Sequence, residues 1–264
     1  MKLWAFYPER HTPTDKRPAI VFFFGGGWKS GSPAQFAPHC RYLASRGMVA
    51  ITADYRVLTR HGTKAVSCIE DGKSAIRWIR QNAYRLGIDP NKVAAGGGSA
   101  GGHVAASIAI IKGFEAEGED HRVPSIPDAL VLFNPAVTLR DIDMKYDFPD
   151  EKEATMPERT GVPPKELSPY HHIRKGLPPT IIFHGTKDTA VDHKTVVLFE
   201  SKMQQLSNPC RLVSYTGQPH GFFNFGRSDN TYFLKTVKEM DLFLNKIGWI
   251  NGKDTVQTFL NTNK

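Results

Sequence analysis

A serine lies in a glycine-rich segment whose sequence can form the sharp turn that a nucleophile needs. Residues 97–101 read GGSAG, which fits the pattern GxSxG with Ser99 at its centre. In this motif the serine occupies a strained strand-to-helix turn that lifts its hydroxyl above a sheet, and small neighbours permit that backbone. The positive end of the following helix also points at the reaction centre. The sequence therefore predicts Ser99 as a nucleophile for acyl transfer.

The same glycines also fit the pattern GxGxxG, which occurs in dinucleotide-binding sites. Gly96, Gly98 and Gly101 supply its three glycines. Such a site also needs a second strand with an acidic residue about 20 positions further on, which binds the ribose. Here the next strand candidate begins only near Ala129, and three strand candidates precede the motif. We therefore predict no nucleotide cofactor.

Two later residues complete the set that a serine nucleophile needs. Asp188 follows one strand candidate, and His220 lies in a glycine-flanked loop after a later one. Ser99 also follows a strand, and the carboxyl ends of parallel strands meet at one edge of a sheet. The chain order serine, aspartate, histidine is that of α/β-hydrolases. Asp192 is the weaker candidate for the acid, because it lies further into the following helix.

The chain has ten histidines, so other bases must be weighed. His103 lies one helical turn past the serine, where a packing or supporting role is expected. His184 ends a strand and is expected to support the loop that carries the acid. His171 and His172 lie in an irregular segment, where substrate contact and a surface position are both open. His220 alone has the setting at a strand end, between small residues, that a general base needs.

Three consecutive glycines end the first core strand candidate. Gly25, Gly26 and Gly27 expose backbone N–H groups with no side chain in the way, which suits an oxyanion hole. We expect Gly26 and Gly27 to donate to the oxyanion together with the amide of Ala100, the residue after the nucleophile. The alternative is a merely flexible loop. This chemistry requires no metal and no organic cofactor.

Aromatic residues adjoin these motifs and are candidates for substrate contacts. Trp28, Tyr55, Phe222 and Phe223 each lie beside a motif residue and could line an acyl or sugar site. Core packing is an equal alternative for each of them.

Short apolar runs alternate with longer amphipathic segments along the chain. The apolar runs predict strands over residues 3–7, 19–24, 49–53, 93–95, 129–133, 180–183 and 211–215. The helical period predicts helices over residues 36–46, 66–86, 193–206 and 232–247. This alternation predicts an α/β fold with a mostly parallel central sheet and helices on both faces.

Residues 138–179 interrupt the alternation. They contain seven prolines and show no clear helical or strand period. Long connections of this kind act as lids or are disordered. We expect a small lid over the carboxyl ends of the strands, inserted into a single domain of residues 1–264.

Composition limits the classes of protein that need to be considered. The chain has 264 residues, of which 40% are hydrophobic and 23% charged, as in globular domains that need no disulfide or structural metal. The net charge of +8 comes without a dense Lys/Arg run, so we predict a solubilising surface and no nucleic-acid partner. Cys40, Cys68 and Cys210 lack metal-site spacing and are expected to be buried thiols, with a Cys40–Cys68 disulfide as the alternative.

Neither a signal peptide nor a membrane span is predicted. Residues 1–8 lack an apolar core of signal-peptide length. The uncharged stretch 93–111 is interrupted by glycines, serines and a histidine, which do not suit a membrane span. The sequence is compatible with two locations, the cytoplasm or the exterior after removal of a signal peptide. It does not indicate whether the protein is a monomer or an oligomer.

Together these residues resemble the α/β-hydrolase fold over nearly the whole chain. More narrowly they resemble the esterase and lipase group with an HGGG-type loop, a group that includes acetyl xylan esterases and bacterial feruloyl esterases. The motifs that carry the resemblance are residues 25–28, 54–56, 97–102 and 219–222, together with Asp188. It implies a serine carboxylesterase that acts on a small-molecule or polysaccharide ester, with acetate on a carbohydrate as the expected acyl group.

The chain departs from the pattern of these relatives in two ways. Phe24 stands where the pattern usually has a histidine that helps to hold the oxyanion loop, so we expect a different support for the loop here. The resemblance also implies strands before Leu3, so we expect the native N-terminus to lie further upstream.

Other functions are compatible with parts of this pattern. A feruloyl esterase or a general short-chain carboxylesterase is the nearest alternative, and a peptidase or thioesterase could use the same three residues. A non-catalytic binding protein is disfavoured because none of the three is missing. A lipase is disfavoured because residues 138–179 are rich in charge, and a haloalkane dehalogenase because serine occupies the turn where that class has aspartate.

Overall fold

Seven strands form one sheet in residues 1–262, the part of the chain that the structure, a computed structural model, describes. The last two residues of the predicted domain 1–264 lie outside it. The strands are β1 (Lys2–Phe6), β2 (Arg17–Phe23), β3 (Val49–Asp54), β4 (Ile88–Gly98), β5 (Ala129–Phe133), β6 (Thr180–Gly185) and β7 (Cys210–Tyr215). Their order across the sheet is β1-β3-β2-β4-β5-β6-β7. β1 pairs with β3 antiparallel and every other neighbouring pair is parallel.

The predicted α/β architecture is confirmed, and all seven predicted strands are present. The largest difference is in β4, which begins at Ile88 rather than at Val93. After buried Ile88 its first part is partly or fully exposed, and only the part from Val93 onward is continuously buried. Hydrophobic runs identify the buried part of a strand and not a solvated extension.

The sheet has one hydrophobic core on each face, and each inner strand contributes side chains to both cores. On β2, Ala19, Val21 and Phe23 belong to one core, and Ile20 and Phe22 belong to the other. The alternation follows from the two-residue period of a strand. Burial on both faces explains why these strands are apolar throughout.

Helices cover both cores. They are α1 (Ala37–Ser45), α2 (Leu58–His61), α3 (Ala65–Gln81), α4 (Ala83–Leu86), α5 (Ala100–Ile110), α6 (Asp150–Thr160), α7 (His193–Gln205), α8 (Thr231–Lys246) and α9 (Val256–Thr262). Helices α3, α5 and α7 pack on one face of the sheet, and α1 and α8 pack on the other. The predicted helix 66–86 divides into α3 and α4 at Asn82.

The insertion between β5 and β6 contains more regular structure than its sequence predicts. It holds α6 and two 3₁₀ turns, Pro164–Leu167 and Pro169–His172. Three acidic residues lie in the first turn of α6, where the helix dipole favours negative charge, and the helix ends at Gly161 in a left-handed conformation. Leu139, Tyr146 and Met156 are buried against the core that also holds α3 and α5. The insertion therefore packs onto the sheet domain.

All three cysteines are buried free thiols, so the alternative Cys40–Cys68 disulfide is not formed. Within residues 1–262, no helix has the length and apolar character that crossing a membrane requires.

Candidate active site

Ser99 lies at the turn between β4 and α5. It has φ 55° and ψ −118°, a backbone conformation that is strained for any residue other than glycine. The turn is possible because its neighbours lack side chains: a Cβ on Gly97 would lie 2.5 Å from a backbone atom of Gly101, and a Cβ on Gly101 would lie 2.0 Å from the carbonyl oxygen of Phe23. The GxSxG glycines thus permit close backbone packing around the serine.

Asp188 and His220 form a short hydrogen bond. His220 Nδ1 lies 2.7 Å from Asp188 Oδ2, and the Asp188 side chain is fully buried while that of His220 is 28% exposed. The other carboxylate oxygen, Oδ1, accepts hydrogen bonds from the amides of Ala190 and Val191, both at 2.9 Å. Because Nδ1 donates to the carboxylate, Nε2 of His220 is left as the basic nitrogen.

His184 supports the acid, as its position at a strand end predicts. Its Nε2 lies 3.2 Å from Asp188 Oδ2 and 2.9 Å from the carbonyl oxygen of Val191. Burial raises the pKa of Asp188, but the hydrogen bonds from His184, His220 and the Val191 amide outweigh that effect, and the pKa of Asp188 lies well below its ordinary value of 3.8. Asp188 is therefore held as a carboxylate.

The competing acid has another role in the structure. Asp192 is the N-cap of α7 and accepts a hydrogen bond from the Lys194 amide at 2.8 Å. Asp192 lines the cavity that also contains Ser99, whereas the base His220 is paired with Asp188.

The loop after β2 has a conformation that depends on glycine. Gly26 and Gly27 have φ values of 130° and 63°, and a Cβ on Gly26 would lie 2.1 Å from the Ser30 carbonyl oxygen. The Gly25 amide donates to Gln35 Oε1 at 2.7 Å, which fixes the start of the loop. Gly26, Gly27 and Ala100 line the same cavity as Ser99. Ala100 is the first residue of α5, where backbone amides have no acceptor within the helix.

Phe24 stabilises this loop through Tyr55. The two rings stack with their centroids 4.2 Å apart, and the Tyr55 hydroxyl donates to the Phe24 carbonyl oxygen at 2.5 Å. A buried aromatic pair therefore stands where the family pattern usually has a histidine. This pair fixes the backbone of Phe24, from which the glycine loop begins.

His103 connects three parts of the site. The Trp28 indole donates to His103 Nδ1 at 3.2 Å, so Nε2 carries the ring proton and donates to the Leu167 carbonyl oxygen at 2.6 Å. Burial lowers the pKa of His103 to about 4, which keeps the ring neutral. His103 thus joins the nucleophile helix α5, the loop after β2 and the insertion.

A cavity of about 620 Å³ lies at the carboxyl ends of the strands. Most of the predicted site residues line it, among them Ser99, His220, Gly26, Gly27, Ala100 and Trp28. Asp188 lies behind His220. The insertion contributes one wall, including Tyr146, Phe148 and Met156.

Two predicted substrate contacts do not reach the cavity. Tyr55 has no exposed surface, because its ring lies beneath Phe24. Phe222 is 2% exposed and packs between Tyr215 and Tyr232. The next residue, Phe223, is also a sequence candidate, and it does line the cavity. For Tyr55 and Phe222 the core-packing alternative describes the observed position.

The lid histidines also lie away from the cavity. His171 bonds to the Ser168 hydroxyl at 2.8 Å and to the Asp141 carbonyl oxygen at 3.0 Å, and His172 bonds to the Lys165 carbonyl oxygen at 3.0 Å. Both rings hold the insertion together through its own backbone and side chains.

Sequence reasoning missed several polar residues of the cavity, among them Asn134, Lys152, Arg159 and Arg227. Asn134 directly follows β5, and its Oδ1 accepts a hydrogen bond from the Gly221 amide at 3.1 Å, which helps to place the His220 loop. Its position at the end of a strand was the available signal. Lys152 and Arg159 lie on α6, which the sequence did not predict.

The strand order and the serine at the turn after β4 define an α/β-hydrolase, and solved structures superpose on it. Esterase 2 of Thermogutta terrifontis is similar over 95% of this chain and 91% of its own, with a TM-score of 0.93 and 52% sequence identity. The chain belongs to the BD-FAE family, whose sequence model matches residues 6–203.

Curated relatives are more distant in sequence. Esterase LipC of Mycobacterium tuberculosis is 29% identical over 90% of this chain, and carboxylesterase NlhH of the same species is 26% identical over 80%. The chain spans 60% of the length of LipC and 68% of the length of NlhH.

Proposed function

We propose that this protein is a serine carboxylesterase that hydrolyses short-chain acyl esters through an acyl-enzyme. The observation that carries the proposal is the 2.7 Å hydrogen bond between His220 and buried Asp188, with His220 and Ser99 on the wall of one cavity. Similarity to LipC, NlhH and Thermogutta terrifontis esterase 2 supports the same reaction class.

In the proposed mechanism, Ser99 attacks the ester carbonyl while His220 Nε2 removes the hydroxyl proton. The imidazolium that forms is stabilised by Asp188, whose own charge is secured by the buried hydrogen bonds around it. The amides of Gly26, Gly27 and Ala100 bind the oxyanion. His220 then protonates the departing alcohol, and water hydrolyses the acyl-enzyme by the same route.

A short acyl group is the expected substrate feature. Phe148, Met156 and Phe223 form an apolar part of the cavity wall together with Leu139 and Val191, while Lys152, Arg159 and Arg227 add charged groups. Esterase 2 of Thermogutta terrifontis has been solved with propionate bound and with butyrate bound. The narrower proposal is an acetyl ester of a carbohydrate such as acetylated xylan, with a feruloyl ester as the alternative.

The first experiment measures hydrolysis of 4-nitrophenyl acetate, butyrate and octanoate by the wild-type protein and by Ser99→Ala. We expect hydrolysis of the two short esters and a loss of about 10³-fold or more in the variant. Ser201→Ala, which removes an exposed serine hydroxyl on α7, is the matched control and should retain full activity. Full activity in Ser99→Ala would overturn the proposal.

Covalent labelling gives an independent readout. Esterase 2 of Thermogutta terrifontis has been solved phosphorylated by paraoxon. We expect paraoxon to add one phosphoryl group to wild-type protein and none to Ser99→Ala, as read by intact mass. Acetate release from acetylated xylan, compared with ferulate release from methyl ferulate, then separates the two carbohydrate-linked alternatives.

A further inference from the structure

Positive charge predominates on the wall of the active-site cavity. Lys152, Arg159 and Arg227 line it, whereas Asp192 is the one acidic residue that lines it within the described residues. The Asp192 side chain is engaged as the N-cap of α7. The cavity therefore has an excess of cationic groups around the position proposed for the ester.

Arg159 lies beside the loop proposed to bind the oxyanion. Its guanidinium stands over the Trp28 ring, 5.2 Å from the centroid, and one nitrogen lies 3.4 Å from the Gly27 carbonyl oxygen. Trp28 is the residue whose indole is fixed by His103. Stacking on a fixed aromatic ring orders the guanidinium and leaves its edge free to donate.

The arginine has no carboxylate partner within residues 1–262, unlike most arginines of the chain. Arg46 pairs with Asp241 at 2.6 Å and Arg80 pairs with Asp128 at 2.8 Å, for example. A guanidinium has five N–H donors, and the Gly27 contact engages at most a small part of them. Arg159 is an exposed residue, yet desolvation by the protein atoms around its guanidinium lowers its pKa below the ordinary value. An anion would supply the missing partner.

The cationic surface continues on the far side of Arg159. A second cavity of about 460 Å³ shares Gly26, Gly27, Trp28 and Arg159 with the first. It adds Lys29 and Lys64, with Glu158 as its one acidic lining residue in the described part of the chain. Arg159 thus stands between two cavities that both present more cations than anions.

We propose that this site is selective for esters that carry a carboxylate near the scissile ester group, and that Arg159 is the residue that recognises it. The proposal rests on the esterase function proposed above and names the substrate class of that same site. A bidentate arginine–carboxylate contact supplies both charge and orientation. Lys152 and Arg227 add to the potential that attracts the anion.

The test compares matched anionic and neutral esters. On the acyl side the pair is 4-nitrophenyl hemiadipate and 4-nitrophenyl hexanoate, and on the alcohol side it is 4-carboxyphenyl butyrate and 4-carbamoylphenyl butyrate. We expect the wild-type kcat/KM to favour the anionic member of one pair. In Arg159→Gln that ratio should fall about 10- to 100-fold, as for loss of a hydrogen bond to a charged group. Most of the change should be in KM, because the contact is present before the chemical step.

Arg122→Gln is the matched control, since Arg122 is exposed and pairs only with Asp120 within the described residues. Its anionic-to-neutral ratio should equal that of the wild type. A ratio that is the same in Arg159→Gln and Arg122→Gln overturns the role of Arg159, and a wild-type preference for neither anionic ester overturns the selectivity.

Two further comparisons distinguish charge selectivity from an effect on protein stability and from the proposed esterase function. In the wild type, kcat/KM for the preferred anionic ester should fall as ionic strength rises, while that for its neutral partner stays constant; an equal salt response of both esters contradicts the proposal. If wild-type protein hydrolyses none of the esters, anionic or neutral, the esterase function itself fails. If it hydrolyses them through Ser99 without charge preference, only the selectivity fails.

Discussion

The indole nitrogen of Trp28 lies 3.2 Å from Nδ1 of His103, and this contact links the glycine loop to the helix that carries the nucleophile. The His103 imidazole also donates from Nε2 to the Leu167 carbonyl oxygen in the insertion. His103 is fully buried, and burial lowers its pKa to about 4, so the ring accepts on one side and donates on the other at neutral pH. The geometry of Gly26 and Gly27 therefore depends on a residue of α5.

We expect His103→Leu to reduce kcat for 4-nitrophenyl butyrate about tenfold or more with a smaller change in KM. Without the imidazole, the Trp28 indole loses its hydrogen-bond acceptor, and the adjoining amides are no longer held in position to bind the oxyanion. Removal of one oxyanion donor typically lowers kcat about 100- to 1000-fold. His103→Gln keeps an acceptor and a donor on a side chain of similar reach, and should recover part of the loss. Equal loss in both variants would indicate a packing role instead.

The hydrogen bond between Asp188 and His220 leads to a second prediction. Asp188→Asn should lower kcat about 10⁴-fold with little change in KM, because the amide cannot hold the imidazole in the correct tautomer or stabilise its positive charge. Steady-state kinetics at pH 7–8 measure the effect.

Asp192→Asn is a matched control for this variant. Asp192 lies four residues later and caps α7, and asparagine is an equally good N-cap, so stability should be retained. Activity should stay within a few-fold of wild type. A larger loss in Asp192→Asn than in Asp188→Asn would show that the acid has been misassigned.

The fold and the proposed catalytic residues were predictable because they depend on local signals. Apolar runs identify strands buried on both faces, and the glycines around Ser99 identify a turn where no Cβ fits. Asp188 and His220 follow strands, and parallel strands place their ends together. These inferences use chain order and residue size, which a sequence contains.

The residues that shape the cavity were harder to predict, because their positions depend on tertiary packing. Tyr55 and Phe222 adjoin motif residues in sequence, yet both side chains turn into the core. Arg159 lies 131 residues after Trp28 and stacks on its ring only because α6 packs across the glycine loop. The helix itself contains Pro157 and little apolar surface, so its period was weak.

A third prediction concerns a buried histidine on the opposite face of the sheet. His39 has no exposed surface, and neither of its ring nitrogens has a hydrogen-bond partner within the described residues. Its neighbours are aromatic: Phe36, Phe133 and Phe233 have ring centroids 4.9, 5.2 and 4.8 Å away. Burial of an N–H group in such apolar surroundings costs free energy, because the group loses its hydrogen bond to water and gains no other. We expect His39→Leu to raise the free energy of unfolding at pH 8 by about 1 kcal/mol or more.

The same residue should make stability depend on pH. Burial lowers the pKa of His39 from 6.5 to about 3. Between these two values the unfolded chain binds a proton that the folded chain does not. The free energy of unfolding is therefore unaffected by this proton above pH 6.5 and falls as pH falls below it, by up to about 1.4 kcal/mol per pH unit. Urea unfolding from pH 8 to pH 4 should therefore show a shallower decline in His39→Leu than in wild type. His121→Gln, which replaces an exposed histidine, is the control and should follow the wild-type curve. Parallel curves for wild type and His39→Leu would show that His39 is protonated as easily in the folded chain as in the unfolded one.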